Sequence, residues 1–126
     1  MSGQFTIALD HARRLIHVTM SGFFEAEDVL RYRAAIGEAT EALGGTPQTQ
    51  LMICDIGGMA IQKQDIVGAF HSFMSEPRYA GRRVAFVVAS TLARQQLQRA
   101  VGTREVAMFA THLQAENWLT GQSAAA

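Results

Sequence analysis

The sequence has few of the residues that build extracellular scaffolds or membrane segments. Its 126 residues include one cysteine and two prolines. A single cysteine forms no internal disulfide, which favours a reducing cytoplasm. No apolar run approaches the ~20 residues of a membrane span. The amino-terminal MSGQFTIALD lacks the basic start and long apolar stretch of a signal peptide. We therefore expect a cytoplasmic protein without a membrane span.

A net charge is also absent. Eleven basic and eleven acidic residues cancel, so electrostatics give no reason to expect nucleic acid or an anionic membrane as partner. The charge is uneven, because residues 1–77 carry five basic and nine acidic groups, and residues 78–126 carry six and two. We interpret this as two solvated faces. The alternative is a basic patch for an anion or an acidic partner, formed by Arg78, Arg82, Arg83, Arg94 and Arg99.

What the chain does contain is a series of short β patterns. Apolar runs without alternation at 51–56, 84–89 and 106–109 indicate strands covered on both faces, which belong to sheets between helices. Two earlier segments, 5–9 and 15–20, predict an antiparallel hairpin. Gly57-Gly58 is predicted to form a turn after the third strand.

Helical patterns separate the later strands. They predict helices at about 25–43, 62–75 and 92–101, and a last helix that Thr111 caps and that ends at Trp118-Leu119. Helix-length connections between strands require parallel pairing with right-handed crossovers. The predicted fold class is therefore a single α/β domain over residues 1–120. It has a mixed sheet of about five strands with four helices in a three-layer arrangement, followed by a disordered tail at 121–126.

This order of elements and three stretches of sequence carry a family resemblance. The stretches are Ser21-Gly22-Phe23-Phe24 leading into Glu27-Asp28-Val29, the pair 51–55 and 83–90, and Phe109 with Ala115-x-x-Trp118-Leu119. Together they resemble the STAS superfamily of anti-sigma-factor antagonists, in particular its SpoIIAA-like, or STAS/SEC14, branch. The resemblance implies a SpoIIAA-like fold and a regulatory role through protein contacts.

The superfamily's phosphorylation switch has no counterpart here. The resemblance implies a serine or threonine in an Asp-Ser-Ser-Gly type motif at the start of the helix after the third strand. The matching place reads Gln62-Lys63-Gln64-Asp65, without a hydroxyl group. A phosphate acts by bringing charge to a helix N-terminus and to its interface. We therefore expect the scaffold without this switch.

The carboxyl ends of the parallel strands define the candidate site. They meet at one edge of the sheet, where open α/β sheets bind ligands. The residues predicted for this edge are Phe23, Phe24, Asp55, Gly57, Gly58, Met59, Ser90, Thr91 and Arg94. For the apolar residues Phe23-Phe24 and Met59-Ala60-Ile61, closure of the core is the alternative to a pocket or a protein contact. The leading hypothesis is a non-enzymatic module that contacts another protein or its own copy, with a homodimer as the favoured assembly. The alternative is a carrier or sensor of a small ligand, with an apolar pocket near Met59 and Phe24 and with Arg94 for an anionic headgroup.

Catalytic and cofactor signatures are weak. Ser90, His112 and Asp55 invite a hydrolase interpretation, but no Gly-x-Ser-x-Gly motif is present, and Ser90 is better explained as a helix cap. Asp55 is expected to accept hydrogen bonds from the following glycines. The glycine pair lacks the other residues of a P-loop or a dinucleotide fingerprint, so we expect no cofactor.

Metal binding is not indicated by spacing along the chain. The four histidines, His11, His17, His71 and His112, show no paired spacing with one another or with Cys54, and we expect no metal site. Cys54 lies in an apolar strand and is expected to be a small core residue.

Overall fold

A mixed five-stranded sheet forms the centre of the molecule. The computed structural model describes residues 2–77, 83–101 and 107–121. The strands follow one another across the sheet in chain order. The first two are antiparallel, and every later neighbour is parallel, which confirms the predicted sheet. The strands are β1 (Gln4–Asp10), β2 (Leu15–Gly22), β3 (Leu51–Met59), β4 (Arg83–Val87) and β5 (Ala107–Phe109).

Four α-helices connect or follow the parallel strands, as predicted. They are α1 (Ala26–Leu43), α2 (Gln64–Met74), α3 (Thr91–Val101) and α4 (His112–Thr120). A short 3-10 turn, Pro47–Thr49, precedes β3. None of the described helices combines the length and the apolar character that crossing a bilayer requires.

Some predictions fall outside the described residues. These are the first residue of the last predicted strand, Val106, the basic residues Arg78 and Arg82, and residues 122–126 of the predicted tail.

Different helices pack on the two faces of the sheet. The helices α1, α2 and α3 pack on one face around a core that includes Ile16, Val18 and Phe86. On the other face α4 packs against a smaller cluster that includes Ile53 and Ala115. Since successive strand residues point to opposite faces, these two clusters follow directly from the unbroken apolar runs in β3 and β4.

Helix α1 buries the apolar stripe that the sequence predicts. The side chains at three- and four-residue steps, Val29, Tyr32, Ile36, Ala39 and Leu43, are all buried. Gly44 follows the helix with a φ of 81°, a conformation that glycine adopts without steric cost.

The predicted turn at Gly57-Gly58 is wrong. Strand β3 continues through both glycines to Met59, and Gly58 pairs with Ser21 after a register shift that leaves one extra residue in β3 between Asp55 and Gly58. A Cβ on Gly58 would lie 3.2 Å from the Cβ of Ser21. The missing side chains therefore serve a close approach of two strands at an irregularity in their pairing, and not a chain reversal.

Asp28 fixes the entry into α1. It is buried, and its Oδ2 accepts hydrogen bonds from the backbone N–H groups of Glu25 (2.9 Å) and Gly3 (3.2 Å). Arg31 forms an ion pair with its other oxygen. The Glu25 hydrogen bond, followed by that of Arg31, lowers the pKa of Asp28 below its ordinary value of 3.8. One carboxylate thus joins the amino-terminal segment to the helix start.

Replacing Asp28 with alanine should destabilise the fold. Two backbone donors then lose their acceptor, which costs about 1–3 kcal/mol of unfolding free energy. Because the folded-state pKa is lowered, the contribution is present above about pH 4 and is lost as the pH falls through that pKa. Urea unfolding of the wild type, Asp28→Ala and the exposed control Glu27→Ala measures this. An equal loss in both variants would contradict the assignment.

Candidate functional site at the carboxyl edge of the sheet

The Gln62 side chain joins two connections at this edge. Its Oε1 accepts a hydrogen bond from the Phe24 N–H (2.7 Å), and its Nε2 donates to the carbonyls of Gly22 (3.1 Å) and Ala60 (2.5 Å). The residue is buried, so each of these bonds also satisfies a backbone group that has little access to water. The β2–α1 connection and the β3–α2 connection are therefore held together by one amide.

The backbone of Gln62 is held in turn by α3. The Gln62 N–H donates to Oε1 of Gln96 (2.8 Å), and Nε2 of Gln96 donates to the Gln62 carbonyl (2.7 Å). This reciprocal pair fixes the start of α2 against the middle of α3.

A lysine occupies the N-cap of α2. Lys63 has no side-chain capping bond, and its Nζ lies 2.9 Å from Oε2 of Glu25 and 5.5 Å from the centre of the Phe23 ring. The hydrogen bond to Glu25 raises the pKa of Lys63 above its ordinary value. The helix start, where an anion would otherwise be favoured, thus carries a cation on an aromatic ring.

The Phe24 side chain lies in the core and not at the edge. It was expected to line the edge, but its side chain has no solvent exposure and packs edge-on against Phe70, 5.5 Å between ring centres. A Cβ on Gly3 would lie only 2.4 Å from this ring, so the amino-terminal segment closes directly over it. Phe23, its neighbour, is half-buried and remains at the edge.

The start of α3 supplies the second half of the edge. Ser90 accepts a hydrogen bond from the Ala93 N–H (3.1 Å) and caps the helix, as predicted. Thr91 and Arg94 are exposed on its first turns. Arg83 instead lies at the opposite end of β4 and stacks 4.4 Å above Trp118. The described arginines of the proposed basic patch are therefore divided between the two ends of the sheet.

Two large apolar side chains project from the edge. Leu92 is 58% exposed and Ile61 is 43% exposed. Leu92 lies one helical turn before Gln96, and Ile61 directly precedes Gln62, so the glutamine pair holds both in a fixed framework. The sequence pattern places Ile61 in an apolar connection at this edge and Leu92 within the segment 90–94, and the exposure of Leu92 could have been inferred from helical phase.

Behind the edge lies a cavity of about 100 Å³. It is bounded by the sheet and by α1, α2 and α3, and its lining is almost entirely apolar. Met59 lines it, as predicted, whereas Phe24 and Arg94 do not. Gln62 and Gln96 line it with amide groups, and Tyr32 with a phenol. A pocket with a cationic end for an anionic headgroup is therefore not what the described residues form.

Cys54 also lines this cavity without chemical reactivity. Burial raises the pKa of its thiol to about 12. Since the thiolate is the nucleophile and the metal ligand, Cys54 acts as a small apolar residue, as expected.

The opposite face of the sheet brings two histidines together. Nε2 of His17 in β2 lies 3.2 Å from Nδ1 of His112 at the start of α4, although 95 positions separate them. Nε2 of His112 lies 3.5 Å from Oδ2 of Asp55, whose Oδ1 accepts from the Gly57 N–H (2.9 Å) as predicted. Burial lowers the pKa of His17 below its ordinary value of 6.5, and His112 lowers it further.

These contacts weaken the hydrolase interpretation. Asp55 and His112 do meet, but His17 faces the second ring nitrogen of His112 and the Ser90 hydroxyl caps α3. A serine nucleophile needs a base within hydrogen-bond reach. In this arrangement neither ring nitrogen of His112 is directed to Ser90.

Solved structures with the same architecture are found by structural comparison. No protein-family model and no curated protein matches the sequence. An anti-sigma factor antagonist from Mycobacterium paratuberculosis matches with a TM-score of 0.63 and 11% identity, over 93% of this chain and 95% of that chain. SpoIIAA in its unphosphorylated form matches with a TM-score of 0.64 and 18% identity, over 94% and 99%. The chain has a SpoIIAA-like fold.

A third match supports the same conclusion. An uncharacterised protein of the DUF3478 family from Shewanella loihica PV-4, itself described as SpoIIAA-like, has a TM-score of 0.68 and 14% identity, over 93% of this chain and 94% of that chain. The SpoIIAA-like fold expected from the sequence is thus confirmed. Identities this low concern the fold, and function has to be argued from the site.

Proposed function

We propose that the protein is a non-enzymatic interaction module that docks another protein through the carboxyl edge of its sheet. The observation that carries this is the pair Ile61 and Leu92, two large apolar side chains exposed on a rigid framework. Exposed apolar groups with a polar rim are typical of protein-binding sites. Here the rim is supplied by Lys63, Glu25 and Arg94.

The rigid framework matters for affinity. Ordering a mobile loop on binding costs free energy, so a preformed edge binds more tightly than a flexible one with the same side chains. The five hydrogen bonds around Gln62 and Gln96 supply that order before a partner arrives.

The start of α2 lacks the hydroxyl group that a phosphorylation switch requires. The superfamily resemblance implies a phosphorylated hydroxyl at this place, and the chain has Gln62 and Lys63 there. At this helix start the Lys63 ammonium forms an ion pair with Glu25 and lies over the Phe23 ring. In our proposal, partner binding at this edge is not controlled by phosphorylation of the α2 start.

Changing Leu92 to glutamate should abolish partner capture. A charge at the centre of an apolar contact pays a desolvation cost, and capture from a lysate of the source cells should fall at least tenfold. The matched control is Leu30→Glu, because Leu30 is 62% exposed and lies on α1, a different helix from the one that carries Leu92. Quantitative mass spectrometry of the captured proteins measures the effect.

The two variants also test whether the partner is a different protein or a second copy of this chain. A protein lost with Leu92→Glu and retained with Leu30→Glu supports the proposal, and equal recovery with both contradicts it. Loss of self-association with Leu92→Glu, measured by sedimentation, would identify a second copy as the partner instead of a different protein.

A second candidate function rests on the cavity. Four methionines, Met20, Met52, Met59 and Met74, line it, and methionine adapts its shape to a ligand. Its volume of about 100 Å³ is smaller than the ~150 Å³ cavity that holds benzene. The cavity therefore suits a small apolar molecule, and we infer as the second candidate function a carrier or sensor of such a molecule.

Xenon is a direct probe of this second function. The methyl signals of Met52 and Met59 in an NMR spectrum should shift on xenon addition, and filling the space with Ala100→Leu should remove the shifts. Met108, which does not line the cavity, is the internal reference. Methyl signals that stay unchanged in the wild type, or that shift equally in Ala100→Leu, would rule the cavity out as a ligand site.

A further inference from the structure

Three potential metal ligands converge on the α4 side of the sheet. His112 and Glu116 lie four residues apart on α4 and therefore on one face of that helix. His17 projects from β2 toward them, at the margin between the part of the sheet that α4 covers and the exposed β1–β2 part. One ligand atom from each residue lies within 4.8 Å of the others.

The distance between the imidazoles fits a metal ion. A tetrahedral zinc ion with Zn–N bonds of about 2.0–2.1 Å holds two nitrogen ligands about 3.3 Å apart. Nε2 of His17 and Nδ1 of His112 lie 3.2 Å apart. Little movement is therefore needed to place both nitrogens on one ion, with the Glu116 carboxylate as the third ligand.

The outer contact of His112 is that of a metal-bound histidine. Its Nε2 lies 3.5 Å from Oδ2 of Asp55, on the side of the ring away from His17. Histidine ligands commonly donate their second ring N–H to a carboxylate, which fixes the tautomer and the ring orientation. Asp55 is itself held by the Gly57 N–H, so it can orient His112.

Arg13 is the one nearby cation among the described contacts of this cluster. Its Nη1 lies 3.9 Å from Oε2 of Glu116, but its Nε donates a shorter hydrogen bond of 2.7 Å to Asp10. Arg13 is therefore attached mainly to Asp10. Its positive charge repels a cation bound by the cluster, but its guanidinium does not fill the space between the three ligands.

We propose that His17, His112 and Glu116 bind a divalent cation of the zinc class. Two imidazoles and one carboxylate are ligands that zinc prefers, whereas Mg²⁺ requires oxygen ligands. The three side chains are half-buried, which leaves a fourth coordination position open to water or to a ligand group. The site joins β2 to the start of α4.

Zinc titration of the untagged, metal-stripped full chain tests the proposal. Calorimetry should show one zinc ion per chain, and Mg²⁺ should not compete. His17→Gln and His112→Gln should each lower the zinc affinity at least tenfold. The control is His71→Gln on the other face, where Nδ1 of His71 contacts the Ala100 carbonyl, and its zinc affinity should equal that of the wild type.

Two variants outside the ligand set test the surroundings. Asp55→Asn should weaken zinc binding about 10–100-fold, as the loss of an outer-shell partner does elsewhere. Arg13→Ala should strengthen it, because a nearby positive charge is removed. If Asp55 and Arg13 do not act on the site, both variants bind zinc with the affinity of the wild type. That result would overturn the assignment.

An NMR measurement on the wild type avoids variants that fail to fold. Zinc should shift the ring signals of His17 and His112 and leave those of His11 and His71 unchanged. Absence of zinc binding, or equal shifts in all four rings, would overturn the proposal. Because Leu92 lies on the opposite side of the sheet, either result is independent of the docking edge.

Discussion

The carboxyl edge of this sheet depends on the hydrogen bonds of one glutamine. Gln62 makes three bonds through its side chain and two through its backbone, and these reach the β2–α1 connection, the β3–α2 connection and α3. Loops at such an edge lack the regular pairing of helices and strands, so their buried backbone groups need other partners. A buried amide with one acceptor and two donors can satisfy three of them at once.

This constraint links the two functional proposals at the edge. The same glutamine pair that supports Ile61 and Leu92 on the surface also lines the cavity beneath them. A ligand in the cavity would contact Gln96, and a movement of Gln96 would reach the docking surface through Gln62. The edge and the cavity are thus two sides of one hydrogen-bonded layer.

The sequence predicts the scaffold well because the scaffold follows from apolar periodicity. The unbroken runs of β3 and β4 and the three- and four-residue steps of α1 record which faces are buried. Two predictions failed for local reasons. Gly57-Gly58 resembles a turn, but β3 takes one extra residue between Asp55 and Gly58 and stays paired with β2. Phe24 lies in a connection, yet the chain around Gly3 closes over its ring.

The site was less predictable because its interactions join distant residues. The side chains of His17 and His112 meet only once α4 has packed on the sheet, and no spacing along the chain records that contact. Gln62 is a polar residue in a loop, a context that is usually solvated, and it is held by the β2–α1 connection and by α3. Such tertiary contacts leave no periodic signal in a single sequence.

Amide hydrogen exchange tests the role of Gln62 most directly. The Phe24 and Gln62 amides lie outside the regular elements and donate to glutamine side chains. If those bonds hold the edge, both amides exchange as slowly as the interior amides of β2 and β3. Exchange of either amide at the rate of an unstructured peptide, while the strands stay protected, would contradict this account.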